Sequence, residues 1–437
     1  MSNKTLGVGL AGFGTVGSGV WNIIARNGPL ISERTQNSVK LEIRKIVVRD
    51  LNKFREAHAP NEIFSTDLAT LIEDPAIDIV VELIGGTQAA FHLVAAALKA
   101  GKPVITGNKA LLAERGEELF ALSAQHHTPI HFEAAVAGAI PVIKAVQDSY
   151  IGNHIQSLTG IINGTSNYIL ERMTQAGLAY PEALNEAKEL GYAEADETLD
   201  VNGWDAAHKA ILLASLSYGK LINYKNVYVR GIEMITPLDI QFAQDLGYVV
   251  KLLSLVRHHE DGSIEIRTQP SFIPSTHILA SVNGVFNAIA VNGDAAGESL
   301  FYGRGAGQEP TGSSVVADLV EAARLLEHGG THRGFLPSED APTLRAIEDT
   351  ATPYYVRFKV TDRPGVIAEI ASILAEAGVG ISGTRSPVDP NNPDADFVDM
   401  VFLLHETPFG HLRKTLIKVE ELESVTERPV VFRIEKL

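Results

Sequence analysis

The chain has 437 residues, 45% of them hydrophobic, and its 37 basic and 53 acidic side chains give a formal net charge of −16. This length predicts two to four domains, and the acidic balance without a visible basic stripe disfavours nucleic acid as a partner. The absence of cysteine excludes disulfides, thiolate metal sites and cysteine nucleophiles and fits a reducing compartment. Neither a signal-peptide pattern nor an apolar run of roughly 20 residues is visible, so we expect a cytoplasmic protein without a membrane segment.

The first predicted unit is a strand at residues 6–10 that enters a glycine-rich turn and a helix at residues 18–26. The turn has the G-x-G-x-x-G spacing of a dinucleotide fingerprint, in which a helix N-terminus receives the pyrophosphate. An ordinary glycine-rich turn is the alternative. The candidate cofactor residues of the turn are Gly12, Phe13, Gly14, Thr15, Val16 and Gly17.

The second predicted strand, residues 41–48, is followed by Arg49 and by Lys53. A site selective for NAD would present an acid here, whereas an arginine can pair with a 2′-phosphate. These two residues therefore favour NADP(H) over NAD(H), with a basic surface turn as the alternative.

Two further strand and helix units are predicted at residues 77–106, and Lys109 follows the last strand. Ligands bind at this edge of doubly wound sheets, so Lys109 is a candidate cation of the active site, although a solvated loop lysine is the common alternative. A strand candidate at residues 130–133 then leads into small residues and a proline. Backbone carbonyls there could hold a monovalent cation, but tight domain packing explains the same pattern.

The pattern changes after residue 150. A strand candidate at residues 157–162 ends in a polar cluster, residues 163–167, before a helix at residues 168–175. The cluster is either a capped turn or a set of groups for a small polar substrate. Alternating segments at residues 227–232, 263–270, 288–292 and 298–302 predict an antiparallel sheet, and hence a second domain of α+β type.

The stretch at residues 191–209, GYAEADETLDVNGWDAAHK, places charges at the start of a helix that we expect to begin near Asn202 or Gly203. Asp205 and Lys209 lie one turn apart, and their stripe becomes apolar at Leu212 and Leu216, which predicts burial. A buried lysine of this kind could transfer a proton or stabilise an oxyanion. The alternative is a half-exposed ion pair worth only about 0.3–0.5 kcal/mol.

Glycine-rich residues 303–314 precede a helix at residues 315–327, which suits a return to the cofactor domain or a flexible connector. Residues 329–353 are typical of a linker. The remaining residues, 354–437, have the order β-α-β-β-α-β of a ferredoxin-like unit. The turn at residues 361–365, TDRPG, resembles the ligand-binding turn of ACT domains, which sense amino acids or serve to dimerise.

Six motifs in this order resemble bacterial homoserine dehydrogenases with a C-terminal ACT domain over nearly the full length. They are GFGTVG (12–17), VVELIGG (80–86), NKALLA (108–113), EAAVAGAIPVI (133–143), NGTSNYIL (163–170) and the stretch at 191–209. The resemblance implies reversible NAD(P)H-dependent reduction of L-aspartate 4-semialdehyde to L-homoserine, on the route to threonine and methionine. It also implies a homodimer or homotetramer, with threonine as the expected effector of the ACT domain.

The resemblance assigns roles to single residues. Lys209 is implied as the proton donor, with Lys109 also at the reacting centre and Asp205 beside them. Implied at the substrate are Glu194, Asp200, Tyr192 and Thr165; at a sodium or potassium ion, the carbonyls of Glu133, Val136, Gly138 and Ile140; and at the effector, Asp362, Gly365 and Val366. Lys109, and Gly307 in the glycine-rich segment before the helix at 315–327, are further candidate cofactor residues. The chain departs from the family pattern at Gly107, Arg304 and Gly312, and Arg304 could alter dinucleotide preference.

The expected fold is α/β, with a Rossmann-like doubly wound sheet, an α+β catalytic and dimerisation domain, and a ferredoxin-like ACT domain. We expect the dinucleotide-binding domain at residues 1–135 plus about 305–330, the catalytic domain at 136–304, the linker at 331–352 and the ACT domain at 353–437. Two other functions are open: a non-catalytic sensor of a dinucleotide and an amino acid, and a divalent-metal hydrolase using Glu194, Asp196, Glu197 and Asp200.

Overall fold

The structure is a computed structural model and describes residues 5–53, 57–193, 196–328, 342–386 and 396–437. Its strands are β1 (Thr5–Ala11), β2 (Lys40–Val47), β3 (Phe64–Ser65), β4 (Ile79–Glu82), β5 (Val104–Thr106), β6 (Ile130–His131), β7 (Ile155–Ile161), β8 (Tyr228–Val229), β9 (Tyr248–His258), β10 (Ile264–Pro274), β11 (Phe286–Gly293), β12 (Gly297–Arg304), β13 (Ala351–Thr361), β14 (Ile381–Arg385), β15 (Phe397–Pro408) and β16 (Val430–Ile434). Its helices are α1 (Thr15–Arg34), α2 (Ala69–Glu73), α3 (Gln88–Lys99), α4 (Lys109–His126), α5 (Val142–Lys144), α6 (Gly164–Ala176), α7 (Tyr180–Glu189), α8 (Thr198–Val201), α9 (Trp204–Tyr218), α10 (Pro237–Asp245), α11 (Gln308–His328), α12 (Val366–Glu376) and α13 (Phe409–Glu420).

The first sheet is parallel throughout and has the strand order β3-β2-β1-β4-β5-β6. This is the doubly wound order of dinucleotide-binding folds, as the sequence predicts. Its central strand β4 is fully buried, which explains its uninterrupted apolar sequence. Ligands bind such sheets at the carboxyl ends of the strands, and β1, β4 and β5 all end there before a motif of the sequence.

Helix α11 packs along α1 on this first sheet, although more than 270 residues separate their starts. The close approach is at Gly19 and Gly312, where a Cβ on Gly312 would lie 2.9 Å from the Gly19 backbone. An alanine, which we expect at position 312 from the family pattern, would therefore push the helices apart. Helix α11 begins at Gln308, so residues 310–314 are helical and not part of a loop.

The second sheet begins with five strands in the order β12-β11-β7-β9-β10, and β8 pairs with β10. Two features differ from the sequence expectation. The predicted strand at residues 227–232 is wrong in extent, since only Tyr228–Val229 forms a paired strand. The long strand β9 was not predicted, because its residues 250–256 are buried on both faces and show no alternation.

The C-terminal unit continues the same sheet with the order β16-β13-β15-β14, and helices α12 and α13 supply its other layer. This is the ferredoxin-like order, and it confirms the predicted β-α-β-β-α-β topology. Strand β16 pairs in parallel with β10 at Ser271 and Phe272, so the unit is joined to the second domain by backbone pairing. In the described part of the chain, no helix is long and apolar enough to cross a membrane.

Candidate active site

The start of helix α9 carries the central carboxylate of the candidate site. Gly203 precedes the helix at φ +90°, a conformation that a side chain would strain, and Trp204 is the first helical residue. Asp205 and Lys209 are 7% and 8% exposed. The helix is therefore buried on its charged side as well as on its apolar side, as the residues at 212 and 216 predict.

Asp205 lies between two lysine ammonium groups. The Lys209 Nζ donates to Asp205 Oδ2 at 2.7 Å and to the Ile162 carbonyl at 2.7 Å. The Lys109 Nζ lies 2.9 Å from the other oxygen, Asp205 Oδ1, and its side chain is 35% exposed. One buried carboxylate thus holds two cations within reach of a common point, although residues 109 and 209 are a hundred positions apart.

Asn163 links this carboxylate to a second one. Its Nδ2 donates to Asp205 Oδ2 at 2.8 Å and to Asp200 Oδ1 at 2.7 Å, while its Oδ1 accepts from the Ser166 amide. Asn163 is therefore the N-cap of α6, which starts at residue 164 and not near 168 as predicted. The polar cluster at residues 163–167 is both a cap and a wall of the site.

The pKa values of the Asp205 and Asp200 carboxyl groups are shifted in opposite directions. Burial alone would raise the pKa of Asp205, but the charges of Lys209 and Lys109 and the hydrogen bonds to the carboxylate hold this pKa well below its usual range. Burial and the neighbouring charge of Asp205 raise the pKa of Asp200. Asp205 is thus the fixed anion of the cluster, while Asp200 is the carboxyl that gains most from a new cationic partner.

The other proposed substrate residues lie beside this cluster. The Thr165 hydroxyl donates to the Tyr192 carbonyl at 2.8 Å, and the Tyr192 ring stands edge-on to Tyr168 at 4.9 Å between centroids. Tyr192 is 43% exposed. Glu194 lies outside the described residues.

Lys109 is placed by a relay of hydrogen bonds that the sequence did not reveal. It opens α4, and Asn108 caps this helix and donates to the Gly86 carbonyl at 2.7 Å. The Asn108 amide donates to the Thr106 hydroxyl, which donates to Glu82 Oε2 at 2.6 Å. Burial raises the pKa of Glu82. A carboxyl group inside an apolar strand motif was the only sequence signal for Glu82.

The N-terminus of α1 fits a dinucleotide. No side chain caps this helix and its first turn has no acidic residue, so its backbone amides suit an anion. A Cβ at Gly14 would meet open space, whereas one at Gly12 or Gly17 would lie within 2.4 Å of a backbone oxygen. The first and last glycines therefore permit tight packing, and Gly14 leaves room for a ligand. Arg49 and Lys53 are exposed beyond β2, and Gly307 has φ +127° just before α11.

The proposed cation segment contains a strained turn. Ala137 and Gly138 both have φ of +54°, which an alanine rarely adopts. The Gly138 carbonyl accepts from the Ser314 hydroxyl, and the Glu133 carboxylate accepts from the amides of Ile143 and Lys144. A carbonyl oxygen has two lone pairs, so the Gly138 carbonyl can accept this hydrogen bond and still coordinate a monovalent cation. The observed bonds also fit tight domain packing.

The three described acids of the hydrolase alternative, Asp196, Glu197 and Asp200, do not share a centre. Glu197 pairs with Lys188 at 2.8 Å, Asp196 accepts from the Thr198 amide, and Asp200 accepts from Asn163. Among the described residues, the three side chains that come close enough for a metal are instead His131, Asp318 and Glu321. Lys144 lies 2.9 Å from Glu321 and 3.4 Å from Asp318, so an ammonium group already compensates these acids.

The C-terminal unit places its predicted effector residues at the start of α12. Gly365 is the N-cap at φ +99°, and Val366 is the buried first residue of the helix. The exposed Asp362 donates its amide to the Asp396 carbonyl. These residues lie on one short turn between β13 and α12, beside the start of β15.

Comparison with known proteins gives one consistent family. Residues 12–133 match the model of the homoserine dehydrogenase NAD-binding domain, residues 141–320 that of homoserine dehydrogenase, and residues 354–421 that of the ACT domain. The homoserine dehydrogenase of Pseudomonas aeruginosa is 42% identical over 99% of this chain and all of its own length, and that of Helicobacter pylori is 41% identical over 99% of both chains.

Solved structures of homoserine dehydrogenases are also similar to this chain. A homoserine dehydrogenase from Thiobacillus denitrificans superposes with a TM-score of 0.91 at 40% identity, covering 99% of this chain and 98% of that one. A hyperthermophilic archaeal homoserine dehydrogenase, solved in complex with NADPH, has a TM-score of 0.61 at 25% identity and covers 73% of this chain and 98% of its own.

Proposed function

This chain belongs to the homoserine dehydrogenase family, and from that membership we propose which residues carry the reaction and how it is controlled. It is an NAD(P)-dependent oxidoreductase acting on CH–OH groups, with a dinucleotide-binding domain and an ACT domain. The reaction is the reversible reduction of L-aspartate 4-semialdehyde to L-homoserine, in amino-acid biosynthesis.

Lys209 is the proposed proton donor, and the Asp205 carboxylate between two lysines is the observation that supports it. When bound, the nicotinamide supplies the hydride to the aldehyde carbon. Negative charge then develops on the aldehyde oxygen, and an ammonium in a buried site stabilises or protonates it. Asp205 holds Lys209 and Lys109 in place and balances their charge, and the division of proton transfer between them is open.

The substrate is proposed to bind on the Asp200 side of this cluster. The raised pKa of Asp200, caused by burial and by Asp205, makes a cationic partner favourable there, and the substrate ammonium is such a partner. Thr165 and Tyr192 are proposed to line the same pocket, together with Glu194 by its place in the motif. These roles fit a small amino acid with one charge of each sign.

NADP(H) is the proposed preferred cofactor. The residues that support this are Arg49 and Lys53, whose exposed positions beyond β2 suit a 2′-phosphate. The archaeal relative named above was solved with NADPH. A monovalent cation is proposed at the carbonyls of Glu133, Val136, Gly138 and Ile140, where the positive φ of two successive residues turns the chain sharply.

Feedback control by threonine through the ACT domain is also proposed, with Asp362, Gly365 and Val366 near the effector. A homodimer or homotetramer in the cytoplasm fits this architecture. Among the described strands, β14 pairs only with β15, and this sheet edge supports pairing between ACT domains.

A steady-state assay of the purified chain tests these proposals. We expect turnover of L-homoserine with NADP to exceed that with NAD, to rise on adding potassium or sodium, and to fall on adding threonine. The Arg49→Ala variant should lose the NADP preference, and Arg44→Ala, which changes an exposed arginine inside the preceding strand β2, is the matched control. Equal kcat/KM for NADP and NAD in the unmodified chain would contradict the cofactor proposal.

The two alternative functions, a non-catalytic sensor and a divalent-metal hydrolase, explain the same residues less well. A non-catalytic sensor gives no purpose to the ion cluster of Asp205 with two lysines, and a hydrolase needs acids that here have separate partners. A change of absorbance at the nicotinamide band during turnover would exclude the sensor. Activity that is insensitive to chelators would exclude the divalent-metal hydrolase.

A further inference from the structure

Lys251 is a buried lysine of β9 for which the reaction proposed above has no use. Its residue is 2% exposed, and burial lowers the pKa of the ammonium to about 8, against the opposing charge of Glu171. Burying an ammonium is costly unless its donors are satisfied. A lysine at such a position therefore needs a local reason.

The three acceptors around the Lys251 Nζ are uncharged oxygens. The ammonium donates to the Val282 carbonyl at 2.6 Å, to Asn167 Oδ1 at 3.1 Å and to Asn283 Oδ1 at 3.4 Å. A lysine has three N–H donors, so this set uses all of them. The ammonium thereby connects helix α6, through Asn167, with the loop at residues 282–284.

Asn167 closes the connection from the helix side. Its Nδ2 donates to the carbonyls of Val282 and Gly284 at 3.1 and 2.9 Å. One turn further along α6, Glu171 accepts from the Gly284 amide, and it is the charged group that faces Lys251. The first turn of α6 is thus fixed to the loop at several points, with the ammonium at the centre.

The same helical turn carries the groups that hold the two carboxyl groups of the active site. Asn163 bridges Asp200 and Asp205, and the Ser166 hydroxyl donates to the Asp200 carbonyl at 2.8 Å. Gly164 lies against the end of the loop, where an added Cβ would be 2.7 Å from the Val285 oxygen. A shift of this turn would therefore move the Asn163 amide away from both carboxyl groups.

We propose that Lys251 is a positioning residue: through Asn167 and the loop at 282–284 it fixes the first turn of α6, and so places the Asn163 amide between Asp200 and Asp205. An apolar side chain of the same length would leave the carbonyl and amide oxygens without their common donor. An arginine would keep a charged donor there. Supporting contacts of this kind decide how accurately a site is held.

The inference rests on the proposed function, and kinetics of three full-length variants test it. Lys251→Met removes the ammonium, Lys251→Arg keeps the charge, and Lys102→Met is the matched control. Lys102 also donates to two backbone carbonyls, those of Leu71 and Asp74, but it lies in the first domain. The measurements are KM and kcat for homoserine and the NADPH dissociation constant from fluorescence.

For Lys251→Met we expect KM for homoserine to rise about tenfold, a loss typical of slightly misplaced binding groups, with a smaller fall in kcat. Lys251→Arg should recover most of this loss. NADPH binding should not change in any variant, and Lys102→Met should keep the homoserine KM of the unmodified chain.

A homoserine KM within twofold of the unmodified chain in folded Lys251→Met overturns the inference, as does an equal rise in Lys102→Met. If Lys251→Met does not fold, Asn167→Ala takes its place with the same expected KM increase and the same criterion. No turnover of homoserine by the unmodified chain would contradict the proposed function itself, and the inference would fall with it.

Discussion

Two buried charge clusters in this chain combine carboxylates with basic side chains in opposite ways. In the candidate active site, the Asp205 carboxylate lies between Lys209 and Lys109, one oxygen facing each lysine. At the junction of the second domain with the ACT domain, Arg267 lies between Glu265 and Glu435 and is fully buried. One cluster has an anion shared by cations, and the other has a cation shared by anions.

The junction cluster is closed by its geometry. The two terminal nitrogens of Arg267 donate to the two oxygens of Glu435 at 2.7 and 2.9 Å, and its Nε donates to Glu265. A planar guanidinium in such a fork has little freedom left. Glu435 belongs to the end of the chain, so this closed pair fastens the C-terminal residues to β10.

The active-site cluster is open by comparison. An ammonium has three donors, and Asp205 and the Ile162 carbonyl accept two of those on Lys209. The third can turn towards a substrate oxygen, and Lys109 reaches the same carboxylate from a partly exposed position. Burial and pairing alone therefore do not distinguish the proposed catalytic cation from a structural one, whereas a remaining donor beside the partly exposed Lys109 does.

The largest effect is expected from removing the Lys209 ammonium of the active-site cluster. Lys209→Met should lower kcat by about 10²–10⁴-fold, because a positioned proton donor supplies a factor of this size. NADPH binding should stay close to that of the unmodified chain. The control is Lys225→Met, which removes an exposed lysine shortly after the same helix. Turnover of Lys209→Met within tenfold of the unmodified chain would show that the two clusters do not differ in the way described.

Breaking the closed cluster should act on stability instead. Arg267→Met leaves Glu265 and Glu435 buried without their cation, which we expect to cost about 3–5 kcal/mol in the free energy of unfolding. Adding Glu435→Gln should recover part of this loss. Urea unfolding measures both, and kcat in the absence of urea should stay near normal. A large fall in kcat at unchanged stability would contradict the structural role.

The closed cluster also affects how the ACT domain can be tested. A chain cut near residue 330 loses β16 and Glu435, so Arg267 loses one of its two carboxylates and β10 loses its pairing with β16. Such a chain is expected to be destabilised whatever the effector does. Single substitutions at Asp362 or Val366 therefore separate threonine control from folding better than truncation.

A pH titration probes a third kind of buried charge, the Lys251 ammonium, whose hydrogen-bond acceptors are uncharged oxygens. Burial lowers its pKa to about 8 in the folded chain, against an ordinary value of 10.5. Between these values the unfolded chain binds more protons, so stability rises with pH from about 8 to 10.5 and this gain is lost as pH falls through 8. Relative to Lys251→Met, the free energy of unfolding should rise by up to about 3 kcal/mol over this range. A constant difference between the two chains would exclude the lowered pKa.

The sequence predicted the open cluster better than the closed one, for physical reasons. Asp205 and Lys209 lie four residues apart on one helix, and local periodicity shows such a pair directly. Arg267 and Glu435 are 168 residues apart, and their pairing depends on the contact between β10 and β16. No local pattern specifies which sheet edge a distant strand joins.

The same limit applies to single residues inside apolar runs. Lys251 belongs to a strand buried on both faces, where neither alternation nor helical spacing is visible. The doubly wound order and the ferredoxin-like order were predictable because each follows from short connections. The start of α6 was placed too late, because the polar residues 163–167 were interpreted as a turn before the helix, whereas Asn163 is its cap and residues 164–167 are helical.

The smallest effect is expected from removing one of the hydrogen-bond donors to Asp239 at the junction with the ACT domain. The Tyr355 hydroxyl donates to Asp239 Oδ1 at 2.9 Å, while Arg357 donates to both oxygens of Asp239 at 2.7 and 3.1 Å. Because Arg357 still compensates the buried carboxylate, Tyr355→Phe should cost only about 1–2 kcal/mol in the free energy of unfolding.

Tyr354→Phe is the matched control, since Tyr354 is equally buried on the same strand but packs in the ACT core. Urea unfolding of both variants decides the point: a loss from Tyr355→Phe as large as that from Arg267→Met would mean that Asp239 depends on every donor. A smaller loss would mean that the ACT domain is held by several independent contacts, in contrast to the candidate active site, where one carboxylate, that of Asp205, contacts both lysines.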